Sequence, residues 1–141
     1  MKWLIVILFA IALSSCKKDD PEPATKSNFL TNGTWMVSAV TSDDDGDGIY
    51  ETNDYADFLD CFKDNIHTFH SNGTFEMNEG PSKCDPGDPQ TESSTWQLTN
   101  NDSNLNLAND VYTVQQLTNT TLQVKLSYGD NRSSIVTFTK R

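Results

Sequence analysis

The amino-acid sequence predicts an all-β fold, an eight-stranded antiparallel up-and-down barrel, preceded by an export signal and a polar tether. Three observations support this fold: abundant Thr, Asn, Ser and Asp, short runs of alternating apolar and polar residues, and Gly, Asn and Asp between those runs. Such punctuation is typical of many short strands joined by turns and not of long helices. The 141 residues suffice for a single domain with a modest core.

The first sixteen residues have the pattern of a bacterial lipoprotein signal. Lys2 supplies a positive charge, residues 3–13 form an unbroken apolar run, and Leu13-Ser14-Ser15-Cys16 follows at once. The tetrapeptide resembles the bacterial lipobox, in which the cysteine is acylated before the preceding peptide is removed. The alternative is an ordinary secretory signal with an incidental cysteine. Because the apolar run is too short to span ~30 Å of hydrocarbon, we expect acyl chains on Cys16 to anchor the mature protein.

The domain organisation follows from this signal. We expect a signal peptide at 1–15, a lipidated flexible tether at 16–28 and a barrel domain at 29–141, with an acidic insert at 42–60. Lys18-Asp19-Asp20 resembles the signal by which some Gram-negative lineages move lipoproteins to the cell surface; a merely charged tether is the alternative. The expected location is the cell envelope, on the outer membrane, facing the periplasm or the cell surface.

The net charge of the chain and the lack of a local catalytic motif argue against two classes of function. The formal net charge of −10 repels nucleic acid phosphates, so we expect no nucleic acid partner. No local motif joins a nucleophile, a base and an acid, so we expect a protein that is not an enzyme. A monomer is the expected state.

Eight runs in the sequence predict the strands of the barrel. In the first run, Trp35, Val37 and Ala39 share one face. Ser71-Asn72-Gly73 predicts a three-residue hairpin loop, with a register that pairs Phe69 with Phe75. The runs are Thr34–Thr41, Ile66–His70, Thr74–Met77, Ser93–Leu98, Asn104–Ala108, Val111–Leu117, Thr121–Tyr128 and Ser134–Lys140.

Closure into a barrel removes the unpaired edges that eight antiparallel strands would otherwise leave. A barrel that crosses the outer membrane is the alternative, but its strands need ~9 to 11 residues and an aromatic girdle. Most of these runs are too short, so we expect the apolar faces to point inward.

Several short motifs together resemble a known family. Gly33-Thr34-Trp35 resembles the glycine and tryptophan signature of lipocalins, and residues 29–141 resemble the small lipocalin-like lipoproteins of Gram-negative bacteria. The supporting motifs are Phe69-x-x-Asn72-Gly73-Thr74-Phe75, Lys83-Cys84-Asp85, Thr95-Trp96 and Thr137-Phe138-Thr139-Lys140. The resemblance implies an eight-stranded calycin-type barrel and says less about activity.

The leading functional hypothesis is a barrel interior that binds a small hydrophobic ligand. The lining residues we expect are Trp35, Val37, His67, Phe69, Phe75, Trp96, Tyr112, Val124 and Phe138. The competing hypothesis is a structural or protein-interaction module with a filled barrel and a calcium-ordered insert. An enclosed volume near ~300 Å³ would favour the ligand carrier.

The acidic insert matches a calcium loop. Residues 43–48 read Asp-Asp-Asp-Gly-Asp-Gly, which matches the calcium-loop pattern D-x-D-x-D-G. The twelfth position of the loop, where the pattern requires an acid, is Asp54. The loop resembles those of dockerin and related extracellular calcium repeats. The expected Ca²⁺ ligands are the side chains of Asp43, Asp45, Asp47 and Asp54, the backbone carbonyl of Ile49, and Glu51 through water. A solvated acidic loop is the alternative.

Two cysteines remain once Cys16 is lipidated. In an exported protein this pair, Cys61 and Cys84, predicts a disulfide; the hairpin register supports it by placing residue 60 opposite Cys84. Two free thiols are the alternative. The two histidines, His67 and His70, are three apart on a strand and point to opposite faces, so they cannot chelate one metal together.

Overall fold

The computed structural model describes residues 25–141, so the predicted signal peptide, Cys16 and most of the tether lie outside the described residues. The described part has two short α-helices, one 3₁₀ turn and eight β-strands. In chain order these are α1 (Lys26–Thr31), β1 (Thr34–Asp43), the 3₁₀ turn (Asp54–Asp57), α2 (Asp60–Lys63), β2 (Ile66–Phe69), β3 (Thr74–Asn78), β4 (Thr91–Thr99), β5 (Asn104–Leu107), β6 (Asp110–Leu117), β7 (Thr121–Gly129) and β8 (Arg132–Lys140).

The eight strands form one closed barrel in which each strand pairs with its sequence neighbours and β8 pairs with β1. Every pairing is antiparallel. This confirms the predicted fold class. The eight expected runs all become strands, and their ends differ by one or two residues. For example, β1 continues past Thr41 to Asp43, whereas β5 stops before Ala108, whose φ of 52° turns the chain.

The β2–β3 hairpin has the predicted register. Phe69 pairs with Phe75 and His67 with Met77. Gly73 has a φ of 85°, the left-handed conformation that the loop requires and that glycine adopts without strain.

One end of the barrel is closed by α1, and we call it the closed end. Trp35 is completely buried, and its Nε1 donates a hydrogen bond of 2.9 Å to the backbone oxygen of Leu30. The Nζ of Lys140 lies 4.9 Å from the centre of the Trp35 ring and donates to the oxygen of Phe29. Residues 26–28, at the end of the expected tether, lie in α1, and the burial of Leu30 docks this helix on the barrel.

A β-bulge changes the direction of β1. The register with β8 shifts between Val37 and Ala39, so Ala39 is only partly buried and Val40 is buried in its place. The expectation that Trp35, Val37 and Ala39 share a face is therefore wrong at Ala39, because the extra residue of a bulge reverses the alternation. Beyond Trp35, β1 has no further register pairs with β2.

The predicted disulfide joins Cys61 of α2 to Cys84, with 5.2 Å between the two Cα atoms. The two cysteines are brought together by a different backbone path from the predicted one. The β2–β3 ladder ends at the pair Ile66 and Asn78, and the chain before it turns into α2 instead of extending the hairpin. The disulfide thus fixes α2 to the connection between β3 and β4. No helix within residues 25–141 is long and apolar enough to cross a membrane.

Candidate functional site in the gap between β1 and β2

An apolar groove of about 420 Å³ lies where β1 separates from β2. One strand contributes Val37 and the other His67, and the segment between the 3₁₀ turn and β2 covers the gap. This segment is held in place by Tyr55, whose hydroxyl donates 3.1 Å to the Val37 carbonyl. The groove is lined by Val37, Asp57, Phe58, Leu59, Phe62, Asn65 and His67. We call it the lateral groove.

Two large apolar side chains of the lateral groove face solvent. Leu59 is 61% exposed and Phe62 is 47% exposed. Exposing such side chains next to one another leaves apolar surface in water, which is typical of surfaces that bind another molecule. Phe62 follows Leu59 by three residues and Phe58 by four, the spacing of one face of a helical turn, and this was the signal in the sequence that could have identified them.

His67 lies between the lateral groove and the core. Its ring stacks on Phe75 with 5.8 Å between centroids and meets Phe138 edge-on at 5.2 Å. Burial lowers the pKa of His67 to about 4, because desolvation disfavours the charged imidazolium. The imidazole is therefore neutral at pH 7. Its Nδ1 is buried and has no hydrogen-bond partner among the described residues.

The interior of the barrel is largely packed. A cavity of only about 90 Å³ remains, and its lining residues are Phe69, Leu105, Leu107, Tyr112, Val124, Val136 and Phe138. The rings of Phe69 and Phe75 lie 5.1 Å apart, and Trp96 meets Phe69 edge-on at 5.5 Å. Of the nine residues predicted to contact a ligand, Trp35, Phe75 and Trp96 are core residues that line neither space. Val37 and His67 line the groove, and Phe69, Tyr112, Val124 and Phe138 line the cavity.

The acidic loop begins where β1 ends. Asp43 is 2% exposed, and its carboxylate accepts backbone N–H bonds of 2.8 to 3.1 Å from Gly46, Asp47 and Gly48. Gly48 has a φ of 90°, which permits the turn that aims these amides at one carboxylate. Three amide donors offset the cost of burying the charge of Asp43.

The structure brings together three of the predicted calcium ligands. One carboxylate oxygen each from Asp43, Asp45 and Asp47 lies within 4.8 Å of the other two. Two oxygens bound to one Ca²⁺ at about 2.3 to 2.6 Å can be up to roughly 5 Å apart, so this spacing fits the ion. Asp54 and Glu51 are outside this group, and Asp54 accepts a hydrogen bond from the Ser42 hydroxyl instead. The side chain of Ile49 is exposed, as expected for a residue that would contribute only its backbone carbonyl.

The acidic loop is attached to the outside of the barrel by polar contacts. The Tyr50 hydroxyl and the Ser133 hydroxyl lie 2.8 Å apart, and Lys125 lies 5.8 Å from the Tyr50 ring centre. The Ser133 hydrogen bond, aided by Lys125, lowers the pKa of Tyr50. Thr52 exchanges backbone hydrogen bonds with Ser42. The loop therefore has a fixed position even though most of its side chains are exposed.

The second histidine is separate from the lateral groove. The Nε2 atom of His70 lies 3.0 Å from a carboxylate oxygen of Glu76, and both side chains are partly exposed. The two histidines thus have different surroundings, as their spacing on the strand predicts.

An eight-stranded closed antiparallel barrel with one end capped by a helix and a buried tryptophan is a lipocalin-like architecture. The family model of the lipocalin-like domain matches residues 31–124. The chain belongs to the lipocalin-like domain family, whose members are typically non-catalytic binding proteins.

Solved structures include a similar protein. A lipocalin-like protein from Bacteroides uniformis, whose crystal structure is known, is 17% identical to this chain in sequence. The structural match covers 80% of this chain and 99% of the Bacteroides chain, with a TM-score of 0.47. No curated protein matches the chain.

Because His67 is protonated more readily in the unfolded chain than in the folded one, we expect it to make the protein less stable in mild acid. Between its ordinary pKa of about 6.5 and its folded pKa of about 4, the unfolded state binds more protons, so stability falls as the pH falls. Lowering the pH from 7 to 5 should cost about 2 kcal/mol through this group. Urea unfolding of the wild type and of His67→Phe at both pH values measures it. An equal loss in both proteins would contradict the assignment.

Proposed function

We propose that the protein is a membrane-anchored lipoprotein of the bacterial cell envelope that binds a small apolar molecule in the lateral groove. The observation that carries this proposal is the groove itself, which combines about 420 Å³ of space with a lining of Val37, Phe58, Leu59 and Phe62. Binding sites for small molecules are concave, mostly apolar and contain few polar groups. Membership of the lipocalin-like family supports a binding role over a catalytic one.

The groove is a better ligand site than the interior that the sequence suggested. A cavity of about 90 Å³ is well below the ~300 Å³ that small-molecule pockets usually reach. Opening it would separate aromatic rings that are packed in the core, and such packing is costly to disturb. A ligand in the groove contacts residues that are already exposed.

The packed interior also favours a second candidate function. In this case the barrel is a structural or protein-interaction module with no ligand, and the exposed Leu59 and Phe62 contact a protein partner. A binding measurement with a small probe separates the two candidates, because only the first requires uptake of a small molecule.

We further propose that Ca²⁺ orders the acidic loop. Asp43, Asp45 and Asp47 would provide hard carboxylate oxygens, and the Ile49 carbonyl would add a backbone ligand. The ion would offset the repulsion among three neighbouring carboxylates. Its role here is to stabilise the insert, which lies on the barrel through Tyr50 and Ser133.

The anchor proposal rests on the sequence of the first sixteen residues, and the lipidation of Cys16 is tested directly. Cells expressing the protein are labelled with radioactive palmitate, and we expect the label on the wild type and not on Cys16→Ser. Label on both proteins, or on neither, would contradict an acyl anchor at Cys16.

Groove binding is tested with N-phenyl-1-naphthylamine, an uncharged fluorophore whose emission increases in apolar surroundings. The protein is the chain from residue 16 with Cys16→Ser, which contains every described residue. We expect saturable binding that Phe62→Ser weakens about tenfold, because a large apolar contact is lost.

The control for this experiment is Val111→Ser, which removes another exposed apolar side chain, 57% exposed on β6. It should leave the affinity unchanged within about twofold. Equal weakening by both variants would mean that the fluorophore binds elsewhere, and no saturable binding to the wild type would favour the interaction module.

Calcium binding is tested by calorimetry and thermal unfolding. With a dissociation constant of ~0.1 to 1 mM, 10 mM Ca²⁺ should stabilise the fold by about 1.4 to 2.7 kcal/mol. Asp45→Asn should lose most of this gain, whereas Asp110→Asn, which removes the same charge from an exposed position on β6, should retain it. Absence of binding heat with the wild type would rule out the calcium proposal.

A further inference from the structure

The charges around the lateral groove restrict the kind of ligand that it can accept. Asp57 is the only charged residue that lines it, and no lysine or arginine of the described residues does so. Lys63, the basic residue of α2, does not line the groove, and its Nζ lies 3.8 Å from Asp60 and 5.4 Å from the Tyr55 ring centre. An anionic group in the groove would therefore have no cationic partner and would face a carboxylate.

Of the two neutral polar residues that line the groove, Asn65 is already engaged by the protein. Asn65 is buried, and the orientation that satisfies its amide lets the nitrogen donate to the backbone oxygens of Cys61 and Glu79, at 3.0 and 3.2 Å. These bonds connect the start of β2 to both sides of the disulfide region. Asn65 thus has a structural role and is not available to a ligand.

His67 has the hydrogen-bonding capacity that Asn65 lacks. A neutral imidazole has one donor and one acceptor nitrogen, and the buried Nδ1 of His67 has no partner among the described residues. Leaving a buried polar atom without a hydrogen bond is unfavourable. Because His67 lines the groove, a ligand hydroxyl or amide would supply the missing partner, whereas the low pKa keeps the ring from offering a positive charge.

We propose that the ligand of the lateral groove is a neutral amphiphile, an apolar body with a single hydroxyl or amide group that hydrogen-bonds His67. This inference rests on the proposed function, since it names the ligand class for the same groove. The apolar body lies against Phe58, Leu59 and Phe62, and the polar group points toward β2. Fatty acid anions, which have the same apolar body, should bind more weakly, because no lysine or arginine of the described residues lines the groove and Asp57 does.

The experiment compares two ligands that differ only in the head group. Decan-1-ol and decanoate compete with N-phenyl-1-naphthylamine for the chain from residue 16 with Cys16→Ser, at neutral pH, below the aqueous solubility of decan-1-ol and below the concentration at which decanoate forms micelles. We expect decan-1-ol to displace the fluorophore at a concentration about tenfold lower than decanoate. Asp57→Asn should narrow this difference by improving the affinity for decanoate.

The role of His67 is tested by His67→Phe, which keeps an aromatic ring between Phe75 and Phe138. It should lower the affinity for decan-1-ol about five- to tenfold more than it lowers the affinity for the fluorophore, which is the loss expected for one hydrogen bond in a buried site. In the wild type, ¹⁵N NMR of the imidazole should show the Nδ1 resonance shift when decan-1-ol is added. This readout does not depend on whether the variant folds.

The outcomes separate the two proposals. If the fluorophore does not bind, the proposed groove function fails. If it binds and decanoate displaces it as well as decan-1-ol, groove binding stands and the neutral ligand class is overturned. If decan-1-ol is preferred but neither His67→Phe nor the Nδ1 resonance responds, the assignment of His67 is overturned.

Discussion

The unequal pairing of β1 with its two neighbours determines most of what is distinctive in this protein. β1 pairs with β8 from Trp35 to Asp43 but with β2 at only two positions. The pairing with β2 ends at Trp35, and the bulge at Val37 and Ala39 then bends β1 while it continues along β8. The resulting gap contains the lateral groove, is bridged by Tyr55, and gives the insert a surface to pack on.

The core and the groove meet at one side chain. His67 packs on Phe75 and Phe138, two rings that belong to the packed interior, and it also lines the groove. Its burial lowers the pKa of the imidazole, so the fold loses stability when the pH falls into the mildly acidic range. This is the usual consequence of placing an ionisable group in apolar surroundings. A phenylalanine would fill the same place without this cost.

The fold could be predicted from the sequence because its signals are local. Alternation identified all eight strands, and Asn72-Gly73 set the hairpin register through a turn that only certain residues adopt. The bulge in β1 was not visible, because Ser38 and Ala39 continue an ordinary alternating pattern and the shift depends on how β1 meets β8. The groove was missed for the same reason: Phe58, Leu59 and Phe62 become neighbours of Val37 only through tertiary packing. The three aspartates Asp43, Asp45 and Asp47 lie close together in the sequence, so they could be predicted to form one cluster. The position of Asp54 could not, because it depends on a hydrogen bond from Ser42.

The helix cap at the closed end affects how the domain would be oriented on a membrane. With Cys16 as the proposed anchor, the nine residues 16–24 can reach at most about 30 Å, and they join the barrel beside α1. The ten residues of β1 carry the chain roughly 30 Å farther, at about 3.3 Å per residue, before the acidic loop begins. That distance exceeds the Debye length of about 8 Å at physiological salt. Anionic headgroups and the cluster of aspartates would therefore scarcely repel each other in this orientation, and electrostatics alone would favour a barrel that stands with its acidic pole pointing away from the bilayer.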